Sequence, residues 1–507
     1  MREGLNRGRP IAGIAIHNPA TGIVTSTGGA EVRKWATDRK LLPDQIDAAV
    51  LSLTSGHWVT AIEGLAGSAK SSLAGALKEY AEKQRWTVRG FGTTSGSVQA
   101  LTDVDMEART IAKLLASPLP PKKGCELWIV DESSLLATVP VNELLKLAQQ
   151  RGVERLIFVG DQRQHLAIQA GSPIAQFLEN NMAVSRLTTI RRQKEPGLLK
   201  AVEMAAAGRT DESIDLLVEQ QRIIEEKEPA ARYQRIAAEY LNAHEARQSC
   251  LIVAPANQER KDINQAVRAT LVANGYVQSL GQQHQILIPR DLTPVQLQHT
   301  WSYHENDVIY FRRGSKAQQI PKHAYLTVAA VNDQSLTLRT GNGRLVEFDP
   351  SRFKGLNVYT TEDRTIAVGD RLQWREPDNK RRIANGKYAT ITALDQQNIE
   401  VRFEGGRKLA MPLSEARKVD LGYCSTSHAS QGSTVDRVIV NIDAGRSAEI
   451  VNDRMLYVAI SRARFDSRVY TNSIEDMRRA VARTQEKELA LNLAPERSYQ
   501  QSAGMRI

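Results

Sequence analysis

Short apolar runs alternate with longer helical stretches along the first part of the chain. These runs cover residues 58–64, 86–92, 126–132 and 155–161. Apolar runs of this length between helical segments indicate parallel strands that are buried on both faces of a sheet. The pattern predicts a doubly wound α/β domain over residues 36–195.

A second α/β sheet is predicted from later runs that the sequence separates widely. Residues 196–245 have a helical composition, and a strand is predicted at 249–255 before a helix at 260–274. Further strands are predicted near the end of the chain, at residues 437–443, 455–461 and 467–472. We therefore expect a second domain over 196–300 and 416–475, an adaptor or linker at 1–35, and a tail at 476–507.

The intervening residues 301–415 have a different pattern, with short alternating segments and Gly-containing turns. The segment DVIYFRR from Asp307 aligns with DRLQWRE from Asp370, and the same spacing also pairs Tyr325 with Tyr388. Ten identities fall at this spacing between residues 307 and 344 without a gap. The pattern predicts two small β-barrels in tandem. The alternative is that alternating strands resemble each other by composition alone.

Composition narrows the class of protein. The chain has 507 residues and a net charge of 67 − 57 = +10, which is compatible with a polyanionic partner. No uninterrupted apolar stretch is long enough for a membrane span, and the N-terminus lacks the apolar core of a signal peptide. The three cysteines are far apart, which argues against a disulfide scaffold and fits a reducing compartment. A cytoplasmic protein is expected.

The segment GLAGSAKSS, which follows the first predicted strand, is typical of a phosphate-binding loop. It places Gly64, Gly67, Lys70 and Ser71 between a predicted strand and a predicted helix, and it matches the G-x-x-x-x-G-K-[ST] pattern except that Ala69 replaces the second glycine. Backbone N–H groups in such a loop point at phosphate at the start of a helix. We expect Ala69 to fit if it keeps a right-handed helical φ. The competing interpretation is a Gly/Ser-rich turn before a helix.

Two carboxylates and several cations complete the pattern of a nucleoside triphosphatase. Asp131 and Glu132 follow a predicted strand, where Asp131 is expected to hold Mg²⁺ with Ser71 and Glu132 to deprotonate the attacking water. Phosphoryl transfer also needs cations around the transition state. These are expected from Arg192 and Arg462, with Gln164 as a sensor of the γ-phosphate. The residues predict ATP hydrolysis.

Together these segments resemble the ordered motifs of superfamily 1B helicases of the RecD-like and Dda-like kind. The resemblance covers most of residues 40–475. It implies two RecA-like motor domains that bind ATP and Mg²⁺ and move 5′ to 3′ along single-stranded DNA. It also implies that the β-rich insertion is an SH3-like domain that touches the strand.

The resemblance implies two sets of binding residues. Nucleotide contacts are expected from Gln45, in a segment that resembles the adenine-reading Q motif, and from Gly64, Gly67, Ser68, Ala69, Lys70, Ser71, Gln431 and Gly432. DNA contacts are expected from Thr94, Thr110, Asn264, Thr426, His428 and Trp374. For Trp374 the competing interpretation is a tryptophan in the core of the second barrel.

The segments VGDRLQWRE and VDLGYCSTSHASQGSTVDRVIV resemble more closely the helicase module of conjugative relaxase-helicases of the TraI/TrwC type. That resemblance implies a relaxase domain or conjugation machinery as a partner. The nine histidines of this chain form no HxH pair, so we expect no nicking domain within it.

Two departures keep alternatives open. Ala69 raises the question of nucleotide affinity, and the strand-separating hairpin that relatives carry has room only at about 116–125. A repair or replication helicase, and a DNA-gripping module with a weak ATPase, therefore remain alternatives.

Overall fold

The computed structural model describes residues 10–13, 15–17, 24–120, 124–164, 171–315, 318–353, 355–378, 380–427 and 429–483. The chain divides into two compact units, a larger one from Met1–Ile263 with Cys424–Ile507 and a smaller one, Asn264–Tyr423. Residues 484–507, which include most of the predicted tail, lie outside the described part, as do residues 121–123 of the predicted hairpin. None of the helices in the described ranges is long and apolar enough to cross a membrane.

The larger unit begins with a short antiparallel pair of strands and continues into a six-stranded sheet with its helices. The strands are β1 (Ala15–His17), β2 (Val24–Ser26), β3 (Val59–Gly64), β4 (Thr87–Gly92), β5 (Ala108–Thr110), β6 (Glu126–Asp131), β7 (Arg155–Gly160) and β8 (Val184–Leu187). The helices are α1 (Gly29–Asp38), α2 (Pro43–Thr54), α3 (Lys70–Lys83), α4 (Ser95–Thr102), α5 (Ile111–Ala116), α6 (Thr138–Gln150) and α7 (Pro173–Glu179), with a 3₁₀ turn at Ser133–Leu135.

All neighbouring strands of this first sheet run parallel, in the order β5-β4-β6-β7-β3-β8. The central strand β6 is buried on both faces of this sheet. Leu127 and Ile129 pack into one apolar cluster and Trp128 and Val130 into another, and all four are fully buried. A strand that is buried on both faces needs helices on both sides of the sheet. The predicted α/β character with a parallel sheet is confirmed.

The chain then enters a second group of elements. These are α8 (Pro196–Ala206), α9 (Thr210–Glu219), β9 (Ile223–Glu225), α10 (Pro229–Glu245), β10 (Cys250–Val253) and α11 (Asn257–Ala273), where α11 leads into the smaller unit.

The smaller unit consists of two antiparallel sheets. The first contains β11 (Gln282–Pro289), β12 (Val308–Phe311), β13 (Tyr325–Val331), β14 (Leu336–Arg339), β15 (Leu345–Phe348) and β16 (Leu356–Ile366). The second contains β17 (Arg371–Trp374), β18 (Tyr388–Leu394), β19 (Asn398–Phe403), β20 (Lys408–Pro412) and β21 (Val419–Leu421). Short 3₁₀ turns lie at Gln296–Gln298, Thr300–Ser302, Pro350–Arg352 and Leu413–Glu415. The first of these strands, β11, begins at Gln282 and therefore well before the boundary expected at 301.

The two sheets repeat each other at the spacing that aligns Asp307 with Asp370. The pairing of Val308 with Thr327 in the first sheet has its counterpart in Arg371 with Thr390 in the second. Both sheets carry a β-bulge at matching positions, Val328/Ala330 and Ile391/Ala393. Even the isolated bridges correspond, Ser315 with Ile320 and Asp378 with Ile383. Corresponding registers, bulges and bridges show that the backbone of one repeat is reproduced in the other.

The chain returns to the larger unit with β22 (Cys424–Ser425), β23 (Val435–Ile442), α12 (Asp453–Ile460), β24 (Ala463–Thr471) and α13 (Ile474–Val481). The second sheet is parallel and has the order β22-β10-β23-β24-β9.

The strand predicted at 455–461 is wrong, because this segment forms helix α12. Asn452 caps the helix by accepting a hydrogen bond from the backbone N–H of Met455. All residues from Met455 to Ile460 are buried. A helix that is apolar on every side has no 3.6-residue periodicity, so its sequence looks like a buried strand.

Candidate functional site

The phosphate-loop residues lie between the end of β3 and the start of α3. Lys70 Nζ donates hydrogen bonds to the backbone oxygens of Gly64 (2.7 Å) and Leu65 (3.1 Å), which folds the side chain across the loop. Gly67 has a φ of +85°, and a Cβ there would lie 2.7 Å from Arg192 Cβ. The Ser68 hydroxyl is buried without a hydrogen-bond partner among the described residues. A buried donor without a partner, in a turn at a helix start, is consistent with an anion site.

The expected right-handed conformation of Ala69 is wrong. Ala69 has φ 60° and ψ 40°, in the left-handed region, immediately before α3 begins at Lys70. The sequence pattern usually has glycine at this position, and glycine has no Cβ to clash in this conformation. The loop therefore carries local backbone strain at the site itself.

Ala69→Gly is expected to stabilise the fold. Relief of the left-handed strain should outweigh the entropy lost with glycine and raise the free energy of unfolding by about 0.5–1 kcal/mol. Ala66, in the same loop and 1% exposed, has no positive φ, so Ala66→Gly is the matched control and should be destabilising. Thermal unfolding of both variants tests this expectation, and a lower Tm for Ala69→Gly would contradict it.

The carboxylates lie at the C-terminal end of β6. Asp131 Oδ1 accepts a hydrogen bond from the backbone N–H of Glu132 (2.9 Å). Burial and the charge of Glu132 raise the pKa of Asp131 to about 7, while Lys70 acts in the opposite direction. Glu132 has a left-handed backbone with φ 52°, and its Oε2 is buried with no hydrogen-bond partner in the described part of the chain. An unsatisfied buried carboxylate oxygen is suited to accept a proton from a bound water.

The donors near the loop fit Mg²⁺. Ser71 and Asp131 line the same cavity, so a hydroxyl and a carboxylate oxygen are available together. The described residues contain no cluster of three or more His, Cys, Asp or Glu suited to a metal. A hydroxyl and a carboxylate fit Mg²⁺, which proteins hold by one or two side chains together with substrate phosphates.

A hydrogen-bonded chain of buried side chains connects Arg462 to the phosphate loop. Arg462 Nη2 donates to Gln164 Oε1 (3.0 Å), and Gln164 Nε2 donates to Asp161 Oδ2 (3.0 Å). The Tyr457 hydroxyl donates to the same Asp161 oxygen (2.9 Å) and accepts from the backbone N–H of Ala66 (2.7 Å). Burial lowers the pKa of Arg462, although Glu132, Tyr457 and Asp161 raise it. These hydrogen bonds connect the phosphate loop, which follows β3 of the first sheet, with Tyr457 and Arg462, which precede β24 of the second sheet.

Arg192 lies beside Gly67 of the phosphate loop. Its Nη1 donates to the backbone oxygen of Ser461 (2.8 Å), next to Arg462. Burial, and then the charge of Arg462, lower its pKa to about 9. Gln193 donates to the same oxygen (3.0 Å) and to that of Ala463 (2.8 Å). A buried guanidinium group and a half-buried one, whose charges disfavour each other, favour an anion at this place.

One cavity of about 500 Å³ joins these parts. It lies between the C-terminal ends of strands in the first sheet and the N-terminal ends of β23 and β24. Six of the residues predicted for catalysis line it together: Lys70, Asp131, Glu132, Gln164, Arg192 and Arg462. The predicted loop residues Gly67, Ser68, Ala69 and Ser71, together with Gly432, also line it.

The remaining predicted nucleotide contacts lie around this cavity. Gly64 ends β3 and supplies the backbone oxygen that Lys70 contacts. Gln45 is buried, and its Nε2 lies 3.5 Å from the backbone oxygen of Ser68. The side-chain Nε2 of Gln431 is buried and without a hydrogen-bond partner among the described atoms.

The predicted DNA contacts are distributed over both units. Thr94 follows β4 and caps α4, and Thr110 ends β5 and caps α5. Both lie at the same sheet edge as Asp131. Thr426 is half-buried in the loop after β22, and His428 lies outside the described residues. In the smaller unit, Asn264 accepts a hydrogen bond from the backbone N–H of Tyr423 (2.9 Å). There Trp374 is 3% exposed, with its ring 5.1 Å from that of Phe403.

Sequence reasoning missed Tyr457 and Lys194. Lys194 lines the cavity, and Tyr457 bonds to the phosphate loop through its hydroxyl. The only signal for Tyr457 was a tyrosine within an otherwise apolar buried segment, because a buried hydroxyl needs a partner. Its partners are 391 and 296 residues away in sequence, so the sequence could not name them.

Tyr457→Phe is expected to lower kcat for ATP about tenfold with a smaller change in KM, because both partners of the hydroxyl lose a buried hydrogen bond. Tyr470 offers a matched control, since it is buried in the second sheet and bonds to Glu239. Tyr470→Phe should lose comparable thermal stability while kcat stays the same. Steady-state ATPase assays of both variants test this, and equal kcat values for them would contradict a role at the site.

Comparison with known families agrees with this geometry. The model of an AAA domain matches residues 40–228, and that of a UvrD-like helicase C-terminal domain matches residues 421–470. Two parallel sheets that converge on a phosphate loop, a carboxylate pair and a buried arginine are typical of the nucleotide-binding core of helicases, so the geometry agrees with both matches.

The relatives make this class more specific. The chain is 24% identical over 465 residues to the conjugal transfer protein TraA of Agrobacterium fabrum, which covers 90% of this chain and 34% of the relative. It is 23% identical over 500 residues to the multifunctional conjugation protein TraI of Escherichia coli K12, with 86% and 27% covered. The chain thus spans about a third or less of the length of these two relatives.

Among solved structures, one of Pif1 helicases at forked DNA aligns with a TM-score of 0.47 and 16% identity. It covers 90% of this chain and 94% of that one. The expected resemblance to helicases is confirmed by the match to a helicase C-terminal domain, and the expected resemblance to conjugative relaxase-helicases by the homology to TraA and TraI.

Proposed function

We propose that the chain is an ATP-dependent translocase and helicase that moves 5′ to 3′ on single-stranded DNA in a plasmid conjugation system. The observation that carries the proposal is the single cavity lined by Lys70 and Glu132 from the first sheet and by Arg462 at the second. A motor ATPase needs contacts to its nucleotide from two structural elements, because hydrolysis can then change the contacts between those elements.

The cavity provides each group that phosphoryl transfer requires. Lys70 leaves the backbone oxygens of Gly64 and Leu65 and binds the β- and γ-phosphates, which also accept hydrogen bonds from the loop amides. Glu132 takes a proton from the attacking water through its free oxygen. Ser71 and Asp131 would hold Mg²⁺, which would neutralise charge on the phosphates.

Arg462 supplies the response to the γ-phosphate. In the structure its guanidinium is held by Gln164, which is held in turn by Asp161. A γ-phosphate competes with Gln164 for Arg462, and its loss on hydrolysis returns the arginine to the amide. Because Asp161 also bonds to Tyr457, and Tyr457 to the phosphate loop, this exchange reaches helix α12 of the second sheet.

DNA as the track is supported by the placement of Thr94 and Thr110. Their strands end at the same edge of the first sheet as β6, so a strand held there would be close to the nucleotide cavity. The direction 5′ to 3′ rests on the superfamily resemblance. The role in conjugation rests on homology to the conjugation proteins TraA and TraI, and the partner that we propose is a relaxase domain or the conjugation machinery, as the resemblance to relaxase-helicases implies.

A DNA-gripping module with weak turnover is the second candidate function. It is favoured by one observation, the strained left-handed Ala69 in the phosphate loop. The intact set of Lys70, Asp131, Glu132 and Arg462 in one cavity favours the motor.

The ATPase rate with and without single-stranded DNA decides between the two. A motor shows strong stimulation by oligonucleotide, which Lys70→Ala abolishes. Tight DNA binding with no turnover at saturating ATP would establish the gripping module instead. Unwinding of a duplex with a 5′ rather than a 3′ overhang tests the direction.

Conjugation is tested in cells that carry the gene on its native replicon. Loss of the gene should reduce transfer of the replicon, and the wild-type gene but not Lys70→Ala should restore it. Unchanged transfer together with sensitivity to DNA damage would point to the repair alternative.

A further inference from the structure

The turn that carries Arg462 lies between two regular elements. Helix α12 ends at Ile460 and β24 begins at Ala463, so Ser461 and Arg462 fall between them. Backbone oxygens at the end of a helix have no partner within the helix and need one from another part of the chain. The groups that bind the oxygens of Ser461 and Ala463, on either side of Arg462, therefore help to determine how this arginine is held.

One side chain binds both of these oxygens. Gln193 Nε2 donates to the backbone oxygen of Ser461 (3.0 Å) and to that of Ala463 (2.8 Å). A carboxamide NH₂ group has two hydrogens, one for each oxygen. Gln193 is 5% exposed and is not among the residues that line the nucleotide cavity. It therefore restrains the backbone on both sides of Arg462 from outside the cavity.

The residues beside Gln193 connect the phosphate loop with this turn. The backbone N–H of Arg191 donates to the oxygen of Gly67 in the loop (2.9 Å), and that of Lys194 donates to the oxygen of Arg464 (2.7 Å). Gln193 lies between these two backbone contacts. The short segment that joins the loop to the turn thus also carries the side chain that holds the turn.

Only one end of the Gln193 amide is used. Its Oε1 is buried and has no hydrogen-bond partner among the described residues. A buried acceptor without a partner costs stability, so an apolar side chain of the same length would suit the fold about as well. The glutamine is therefore explained by its donor, which faces the turn of Arg462, rather than by its contribution to stability.

The oxygen of Ser461 has a second donor, because Arg192 Nη1 also donates to it (2.8 Å). Ser461 is fully buried, and an arginine that turns from such an oxygen to a phosphate leaves the oxygen short of a partner at a cost in free energy. The bond from Gln193 reduces that cost, because the oxygen stays paired while the arginine moves.

We propose that Gln193 is a positioning residue for ATP hydrolysis, which holds the backbone on both sides of Arg462 so that the guanidinium meets the γ-phosphate. The inference rests on the proposed function, because it needs an ATPase in which Arg462 acts on the phosphate. Misplacement of a reacting group by about 1 Å can reduce a rate about 10²-fold, so a residue outside the cavity can have a large effect.

Gln193→Met keeps the length of the side chain and removes its donor. We expect kcat for ATP to fall about thirtyfold with KM within about threefold of wild type, because the phosphate-loop contacts are unchanged. The Tm should stay within a few degrees of wild type. Gln193→Asn, whose donor is one methylene shorter and cannot reach both oxygens, should give an intermediate kcat and provides a second test if Gln193→Met folds poorly.

Gln373 provides a matched control. It is 1% exposed, lies in the smaller unit, and donates from its Nε2 to the hydroxyl of Tyr388 (2.9 Å). Gln373→Met therefore also removes a buried amide donor, but we expect it to leave kcat without DNA unchanged. Equal kcat values for Gln193→Met and Gln373→Met would overturn the proposal.

A double-mutant cycle tests whether Gln193 acts through Arg462. In an Arg462→Ala background, Gln193→Met should lower the single-turnover rate no more than about threefold, because no guanidinium remains to be positioned. A thirtyfold loss in both backgrounds would overturn the proposal. If wild type and Arg462→Ala behave as expected while Gln193→Met matches wild type, only the role of Gln193 is contradicted. A wild-type protein without ATPase activity would contradict both this role and the proposed function.

Discussion

Glu132→Gln will reduce DNA-stimulated ATP hydrolysis by about 10²–10⁴-fold while ATP still binds, because the amide cannot accept the proton of the attacking water. The substitution keeps the size of the side chain. It also removes a buried negative charge beside Asp131, whose pKa Glu132 raises. Nucleotide affinity should therefore be equal to or tighter than that of wild type.

Single-turnover hydrolysis and equilibrium binding of a fluorescent ATP analogue measure the two effects separately. Glu126 provides a control carboxylate on the same strand, since it is buried against Arg89 and does not line the cavity. Glu126→Gln should change stability rather than the chemical step. If Glu132→Gln hydrolysed ATP at the wild-type rate, Glu132 would not be the base.

Arg462→Ala will lower kcat about 10³-fold or more, as expected for loss of a guanidinium that stabilises the transferred phosphoryl group. The loss should be larger than for Arg464→Ala, although both side chains line the cavity. Arg464 is half exposed and paired with Asp436 at 3.7 Å, whereas Arg462 is 2% exposed and donates to Gln164 Oε1 and to the backbone oxygen of Val458.

Arg462→Lys distinguishes charge from geometry. Lysine keeps the positive charge but cannot hold the Gln164 amide and a phosphate oxygen with one planar group. We expect it to bind ATP and to hydrolyse it slowly, with little stimulation by DNA. Full activity in Arg462→Lys, or an unchanged kcat in Arg462→Ala, would be incompatible with the proposed role of this arginine.

The parts of the site that depend on local sequence were predictable. The loop from Gly64 to Ser71 and the Asp131–Glu132 pair follow buried strands, and parallel strands bring such positions to one edge of a sheet. Gln164 was expected near them for the same reason, and Arg192 because phosphoryl transfer needs cations around the transition state; both line the same cavity. The duplication in the β-rich unit could also be recognised, because identities mark the turns and strand ends that the two sheets share.

The parts that depend on tertiary contacts were not predictable. Helix α12 looked like a strand because every residue from Met455 to Ile460 is buried. Ala69 and Glu132 have a left-handed backbone, which a residue with a Cβ rarely adopts, so their residue types did not predict it. Tyr457 takes its role from partners in another sheet, which no local pattern encodes.

A crystal structure with ADP, aluminium fluoride, Mg²⁺ and oligo(dT) examines whether the two sheets hold one nucleotide. We predict that Lys70 Nζ and the Arg462 guanidinium both lie within hydrogen-bond distance of the fluoride ligands, with Arg462 released from Gln164. A structure in which Lys70 reaches the fluoride while Arg462 still bonds to Gln164, out of reach of the nucleotide, would contradict a motor driven by this cavity.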